Sequence, residues 1–350
     1  MKKIMFCGGG SAGHVMPNIA LAKELSGGYT AEYMGTDGIE YGICRAEGLK
    51  FFMFTAPKLT RGKITANLSV PCRLKKSVNE AADILRREKP DVLFCKGGYA
   101  SLPPALAAKK LKIPVITHES DLTPGLANKI ISRFATVTLT SFPETAEKLK
   151  HGRYSGPPIR KQAMRASRAR AMEKFGLDGR PTVLVFGGGS GSKTINEALR
   201  GAVAEICKNF NVLHVCGRGN KIDAQIDGYV QFEFIPDIGA AYACADCAIA
   251  RAGSNSAFEL LLNSIPTLFI PLENRATRGD QVKNAEYFKK RGLCRILRER
   301  DLTPRTLKEK TDELMHDNDL KSNLSSYHLS CGNERILAEI ERVALHGKTL

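Results

Sequence analysis

The chain has 350 residues, 43% of them hydrophobic and 25% charged, which excludes a disordered or fibrous chain and suits two globular domains. Fifty-two Lys and Arg against thirty-six Asp and Glu give a net charge of +16, which predicts an anionic partner: nucleic acid, phosphate groups or an acidic membrane surface. The excess leans towards the N-terminal side, where residues 1–157 hold 23 basic and 13 acidic side chains. No stretch approaches the ~20 apolar residues of a membrane span. The apolar run after Met1-Lys2-Lys3 ends at Cys7, too short for a signal-peptide core, so the chain reads as cytosolic. Its ten Cys fit that reading, since Cys7, Cys95 and Cys216 sit in apolar runs as small hydrophobes. Cys244-Ala-Asp-Cys247 has no second such pair and no nearby His pair, and reads as structural.

In chain order, short apolar runs at Lys2–Cys7, Ala31–Gly35, Asp91–Cys95, Ile113–His118 and Ala135–Thr140 predict strands. Helices are predicted near Pro17–Leu25, Asn79–Glu88, Ala100–Leu111 and Pro124–Phe134. The second half repeats the plan, with strands at Thr182–Phe186, Asn211–Cys216, Val230–Ile235, Cys247–Ala250 and Thr267–Ile270. Its helices are expected near Thr194–Lys208, Ser254–Leu262 and Asp280–Arg291, with a last one at Asn333–His346. Continuous apolar strands suit buried parallel sheets. Strand–helix alternation in both halves gives an α/β protein of two Rossmann-like, doubly wound domains with a central cleft. The joint falls at Gly156-Pro157-Pro158-Ile159-Arg160, giving domains 1–157 and 158–332.

Both halves place a glycine run after their first strand, Gly8-Gly9-Gly10-Ser11-Ala12-Gly13 and Gly187-Gly188-Gly189-Ser190-Gly191. Such runs let backbone N–H groups approach phosphate oxygens. The first matches the dinucleotide pattern, but the second strand ends on no clear carboxylate for a ribose, Asp37 being a loose candidate. The second is one residue from a nucleotide triphosphatase loop, with Ser192 where glycine is needed. His14, after the first loop, is a candidate general base. His118-Glu119-Ser120-Asp121 ends another strand, and His118 serves either the site or the loop. Arg251 to Glu259 follows a strand and opens a helix, where Glu259 can accept both hydroxyls of a ribose. Asp317-Asn318-Asp319, the one Asp-x-Asp, reads as solvated surface rather than a metal site. Residues 48–79 hold no Asp or Glu but interleave Lys58, Arg61, Lys63, Arg73, Lys75 and Lys76 with Leu59, Ile64, Leu68, Val70, Leu74 and Val78. This mixture suits an anionic membrane surface at about 1 kcal/mol per basic residue. Nucleic acid is disfavoured because stacking aromatics are missing between Lys58 and Val78.

Gly9–His14 with Pro17, Lys96-Gly97-Gly98-Tyr99, His118–Asp121 with Pro124-Gly125 and Asn128, the Gly187 loop with Asn196, Arg251–Glu259, and Asp280-Gln281 with Asn284 together resemble the MurG family of UDP-N-acetylglucosamine transferases. The likeness is ordered along nearly the whole chain. It implies a GT-B fold and an inverting, metal-independent hexosyltransferase with no cofactor. The reaction would move N-acetylglucosamine from UDP-GlcNAc to the muramyl 4-hydroxyl of lipid I, making lipid II for peptidoglycan synthesis. The work would be done peripherally, at the cytoplasmic side of the cell membrane and without nucleic acid. His14 would be the base. The C-terminal domain would bind the donor, with Phe234 and Ile235 at uracil and Glu259 at the ribose. Ser190, Gly191 and Ser254 would sit around the diphosphate, and Asn128, Asp280 and Gln281 would read the sugar hydroxyls. Ser11, Ala12, Gly13 and Arg160 complete the donor set. Gly97, Gly98, Tyr99, Glu119 and Asp121 would lie on the acceptor side. Lys58, Arg61, Lys63, Leu68, Arg73, Leu74, Lys75 and Lys76 would form the membrane patch, and helix 333–350 would return to the first domain. Where many members read Gly-Gly-Thr-Gly-Gly-His, this chain has Ala12 for the second-last glycine. Ser120-Asp121 stands for a Gln-Asn of some members, and the family's phosphate Ser aligns with Gly189. The rivals are a glycolipid synthase acting on diacylglycerol, a sugar-nucleotide epimerase, a NAD-binding oxidoreductase and a nucleic-acid-binding protein.

Overall fold

The computed structural model describes residues 1–58, 69–164, 166–189, 191–273 and 278–346. Ser190, Arg61, Lys63 and Leu68 lie outside the described residues. The chain forms two compact units, one of Met1–Ile159 with Cys331–Leu350 and one of Arg160–Ser330.

The first unit is built on a seven-stranded parallel sheet: β1 Lys2–Cys7, β2 Tyr29–Gly35, β3 Lys50–Met53, β4 Val92–Cys95, β5 Val115–Glu119, β6 Val137–Thr140 and β7 Gly152–Tyr154. Their order is β3-β2-β1-β4-β5-β6-β7. Alternation along β1 supplies both faces. Met5 and Cys7 join the core under helices Val70–Glu88 and Leu102–Lys110. Ile4 and Phe6 join the opposite core with Val15, Ile19 and Leu21 of helix Ala12–Glu24. That second core is completed by the chain's last described helix, Asn333–His346, whose Ile336, Ile340 and Val343 form a stripe at spacings of four and three. Asn333 anchors its start. Its Oδ1 accepts from the Ile159 amide at 2.8 Å and its Nδ2 donates to the Ile159 carbonyl at 2.8 Å.

The basic-apolar stretch departs from expectation where it is described. The helix expected from Asn79 begins at Val70, with Pro71 in its first turn, where a missing N–H costs nothing. Arg73, Lys75 and Lys76 therefore lie exposed on helix, while Leu74 packs against the core. Helical spacing puts Leu74 on the face of Val78, Ala81 and Ala82, which takes it out of the surface patch.

The second unit repeats the design with six parallel strands: β8 Thr182–Phe186, β9 Asn211–Val215, β10 Tyr229–Phe232, β11 Cys247–Ala250, β12 Thr267–Phe269 and β13 Arg295–Ile296, in the order β10-β9-β8-β11-β12-β13. In both units the chain winds to one edge and then returns to pair beside its first strand. The order reverses between β1 and β4, and again between β8 and β11. Open parallel sheets bind ligands at the carboxyl ends of the strands flanking such a reversal. Those ends carry the two glycine runs. No described helix is long and apolar enough to cross a membrane.

Candidate active site

In the first unit the loop after β1 meets the loop after β4. Gly10 (φ +83°), Gly97 (φ +95°) and Gly98 (φ +78°) take conformations that side chains rarely adopt. A Cβ on Gly98 would fall 2.6 Å from the Gly9 carbonyl oxygen and 3.1 Å from His14 Nδ1, so the second loop lies against the histidine. His14 is half-buried, with Nδ1 3.2 Å from the Gly9 carbonyl oxygen and 3.0 Å from Ser11 Oγ. A carbonyl only accepts, so this geometry assigns the proton to Nδ1 and the lone pair to Nε2. Ala12 and Gly13 begin the helix behind it.

The carboxylate beneath this loop is Glu40, which the sequence reading passed over in favour of exposed Asp37. Fully buried, Glu40 accepts from the Gly10 amide at 3.2 Å, the Thr36 amide at 3.1 Å and Thr36 Oγ1 at 2.5 Å. The Tyr99 hydroxyl lies 3.4 Å from Thr36 Oγ1, and the exposed Lys58 ammonium stands 5.9 Å from the Tyr99 ring centroid. The missed signal was position: Glu40 is the second residue of helix Ile39–Ala46, where the helix dipole favours an anion.

Behind the glycines is a buried polar cluster at the ends of β4 and β5. Lys96 Nζ lies 2.8 Å from His118 Nδ1 and also donates to Ser120 Oγ. Burial brings the Lys96 ammonium down to about 7, opposed by the charges of Glu119 and Asp121. Burial and the neighbouring Lys96 keep His118 well below the usual imidazole range, hence neutral. Its Nε2 faces the Gly156 carbonyl at 3.4 Å, so His118 is an internal strut, the second of its two sequence-based roles. Burial, then the charge of Asp121, raises the Glu119 carboxyl. Its oxygens accept from the amides of Asp121 (3.0 Å) and Gly125 (2.8 Å) and from Asn128 Nδ2 (2.9 Å). Asn128 also donates to the His118 carbonyl and accepts from Thr117 Oγ1. Both its amide hydrogens are thus committed to the loop.

In the second unit the loop after β8 carries Gly188 (φ +89°) and Gly191 (φ +76°). A Cβ on Gly191 would lie 2.1 Å from the Cys216 carbonyl oxygen, so only glycine fits there. Ser192 then caps helix Lys193–Ile206. Arg251, at the end of β11, donates to Ser192 Oγ and Thr194 Oγ1 at 2.8 Å and pairs with Glu299, tying the two strand ends together. Ser254 opens helix Ser254–Leu262, and Glu259 points from its second turn. The Glu259 carboxylate accepts from Tyr242 Oη at 2.8 Å and faces Arg160 at 3.2–3.3 Å. Ile235 is buried beside exposed Phe234. Asp280, paired with Arg278 at 2.8 Å, begins helix Asp280–Lys290, and Gln281 Oε1 accepts from the Leu272 amide at 3.0 Å. No described His, Cys, Asp or Glu side chains group in threes as metal ligands. Cys244 and Cys247 are buried, and burial pushes the Cys244 thiol up to about 11.

The predicted residues thus fall in both units, with a glycine loop at the strand-order reversal of each. The glycosyltransferase family 28 N-terminal domain matches residues 4–140 and the C-terminal domain of that family matches 182–330. A Clostridium novyi protein named UDP-N-acetylglucosamine--N-acetylmuramyl-(pentapeptide) pyrophosphoryl-undecaprenol N-acetylglucosamine transferase is 40% identical over 97% of this chain and 98% of its own. A Clostridium kluyveri protein of the same name is 42% identical over 90% and 91%. The crystal structure of Acinetobacter baumannii MurG superposes with a TM-score of 0.76, at 25% identity, covering 98% of this chain and 100% of that one. Two parallel-sheet units, each with a glycine loop at its strand-order reversal, and relatives matched from end to end lead to one conclusion: the chain belongs to glycosyltransferase family 28, among the MurG N-acetylglucosaminyltransferases.

Proposed function

We propose that this protein transfers N-acetylglucosamine from UDP-GlcNAc to the muramyl 4-hydroxyl of undecaprenyl-diphosphate-linked lipid I, with inversion, giving lipid II. The observation that carries this reading is 40% identity over 97% of the chain to a transferase named for those substrates, in a molecule whose two units each present a phosphate-type glycine loop. The second unit takes the donor, with uracil beside Phe234 and Ile235, ribose on Glu259, diphosphate near Gly191 and Ser254, and sugar hydroxyls near Asp280 and Gln281. The first unit takes the acceptor between the Gly97–Tyr99 loop and the Glu119–Asp121 loop.

In the reaction, His14 Nε2 removes the proton of the 4-hydroxyl while that oxygen bonds to the anomeric carbon. The bond from that carbon to the diphosphate oxygen breaks and UDP leaves. The Nδ1 contacts to Gly9 and Ser11 hold the ring in register and stabilise the imidazolium. Backbone N–H groups and helix starts take the charge growing on the diphosphate. Lys58, Arg73, Lys75 and Lys76, exposed on the first unit, bring the chain to an anionic membrane surface where the lipid-linked acceptor resides.

The test is UDP release from UDP-GlcNAc in detergent with EDTA, with and without a lipid I analogue. Release only with the analogue supports the transferase. Release without it means hydrolysis, conversion of UDP-GlcNAc to another UDP-sugar without UDP release means epimerisation, and release with diacylglycerol alone would overturn the acceptor. His14→Ala should cut kcat by at least about 100-fold, at the low end for a lost general base, with little change in UDP affinity. Unchanged kcat removes it as the base.

A further inference from the structure

The carboxylate assigned to the ribose is already engaged. Glu259 is only 6% exposed, and both its oxygens face the Arg160 guanidinium: Nε and Nη2 lie 3.3 and 3.2 Å from Oε1, and Nη2 lies 3.3 Å from Oε2. Tyr242 Oη donates to Oε2 at 2.8 Å. A carboxylate offers about four lone-pair directions, so a ribose diol cannot be received while the guanidinium stays. The two partners differ in tenacity. The tyrosine is buried, its 2.8 Å bond has the ordinary length for a hydroxyl donor, and burial with the Glu259 charge keeps its hydroxyl protonated. The arginine side chain is 24% exposed, and its contacts are longer than the roughly 2.7–2.9 Å of a strong charge-assisted bond.

A guanidinium driven off Glu259 needs another anion, because a partly buried unpaired charge is costly. The helix that carries Glu259 begins five residues earlier at Ser254, about 7.5 Å along its axis. Beside that start a Cβ on Gly253 would meet nothing within 4 Å, which leaves space next to the helix start although Ser254 itself is buried. The diphosphate is assigned there.

We propose that Arg160 holds the place of the ribose on Glu259 and is exchanged for it when a nucleoside diphosphate binds, its charge passing from Glu259 to the diphosphate while Tyr242 holds the carboxylate throughout. This rests on Glu259 being the ribose receptor. It makes Arg160 a specificity-determining residue and Tyr242 a positioning residue. Uridine alone must strip the guanidinium without offering a replacement anion. UDP supplies both partners, so the unit selects the diphosphate over the nucleoside beyond the phosphates' own contacts.

The experiment is calorimetric titration of uridine, UDP and 2′-deoxy-UDP into the full-length protein. It compares wild type with Arg160→Met, which keeps the aliphatic stem, and with Arg160→Lys, Tyr242→Phe and Glu259→Gln. Arg160→Met should bind uridine about tenfold more tightly and UDP about tenfold more weakly, each the equivalent of one charged hydrogen bond. Arg160→Lys, whose ammonium cannot fork across both oxygens, should fall between. Tyr242→Phe should lose preference for UDP over 2′-deoxy-UDP without changing the ratio of UDP to uridine affinity. If wild type does not distinguish UDP from its 2′-deoxy form and Glu259→Gln changes nothing, the ribose reading fails, and the exchange with it. If that preference is present and lost in Glu259→Gln, yet Arg160→Met weakens uridine and UDP alike or alters neither, the ribose reading stands and the exchange is overturned. A Tyr242→Phe variant that keeps full 2′-hydroxyl preference removes Tyr242 from the proposal.

Discussion

Gly98→Ala tests whether the glycine loops position His14. Gly98 sits at φ 78°, ψ 169°, a region essentially reserved for glycine, where another residue costs about 1–3 kcal/mol. Space adds to the strain. The new Cβ would lie 2.6 Å from the Gly9 carbonyl oxygen, under the 3.0 Å below which real Cβ contacts essentially never occur, so the two loops must part by at least 0.4 Å. That carbonyl fixes His14 Nδ1 at 3.2 Å, so the imidazole follows it. A misplacement approaching 1 Å costs about 100-fold in rate, which sets the expected loss of kcat at about 10- to 100-fold. At about 2–4 °C per kcal/mol for a domain of this size, the melting temperature should drop by roughly 2–12 °C. UDP affinity should hold within about twofold, because the residues proposed for uracil, ribose and diphosphate belong to the second unit and lose no bond worth even the usual ~1 kcal/mol. The assay is steady-state UDP release with a lipid I analogue, alongside calorimetric UDP binding and thermal melting. Full kcat with a lowered melting temperature would show that His14 does not depend on this loop. An unchanged melting temperature would refute the steric argument itself.

Ile340→Ala empties the centre of the stripe by which the last helix closes the first unit, where Ile340 is fully buried. It should cost about 2–5 kcal/mol in urea unfolding, and a loss below 1 kcal/mol would mean the helix is not part of the core. Lys96, held at about 7 against 10.5 for the free side chain, has shed a proton that the unfolded chain keeps between those values. Its contribution to stability therefore rises with pH across that window. Wild type should gain on Lys96→Met in urea midpoint between pH 7 and pH 9.5, and parallel profiles would remove the effect. Replacing Arg73, Lys75 and Lys76 together by Glu removes three surface cations worth about 1 kcal/mol each, so partition onto anionic vesicles should weaken by at least about 100-fold. Equal binding of wild type and variant, or equal binding to neutral vesicles, would refute the patch.

Strand-forming runs such as Val92–Cys95 and Thr182–Phe186 were legible because a strand buried on both faces must be continuously apolar. The glycine loops were legible because only glycine meets the backbone demands at Gly98 and Gly191. Edge elements such as Gly152–Tyr154 and Arg295–Ile296 were not, since short strands with one neighbour leave little apolar pattern. The sequence by itself determined the α/β alternation, the paired loops and the family, because these are local: a run of side chains, a turn, a motif in order. Tertiary structure alone decided which side chains share a charge. Asn333 meets Ile159 across 174 residues, Arg160 meets Glu259 across 99, and Gly10 meets Glu40 across 30. Nothing in the spacing of such pairs fixes them. They are settled by the tertiary fold, which brings loops and helices distant along the chain into hydrogen-bonding range of one another.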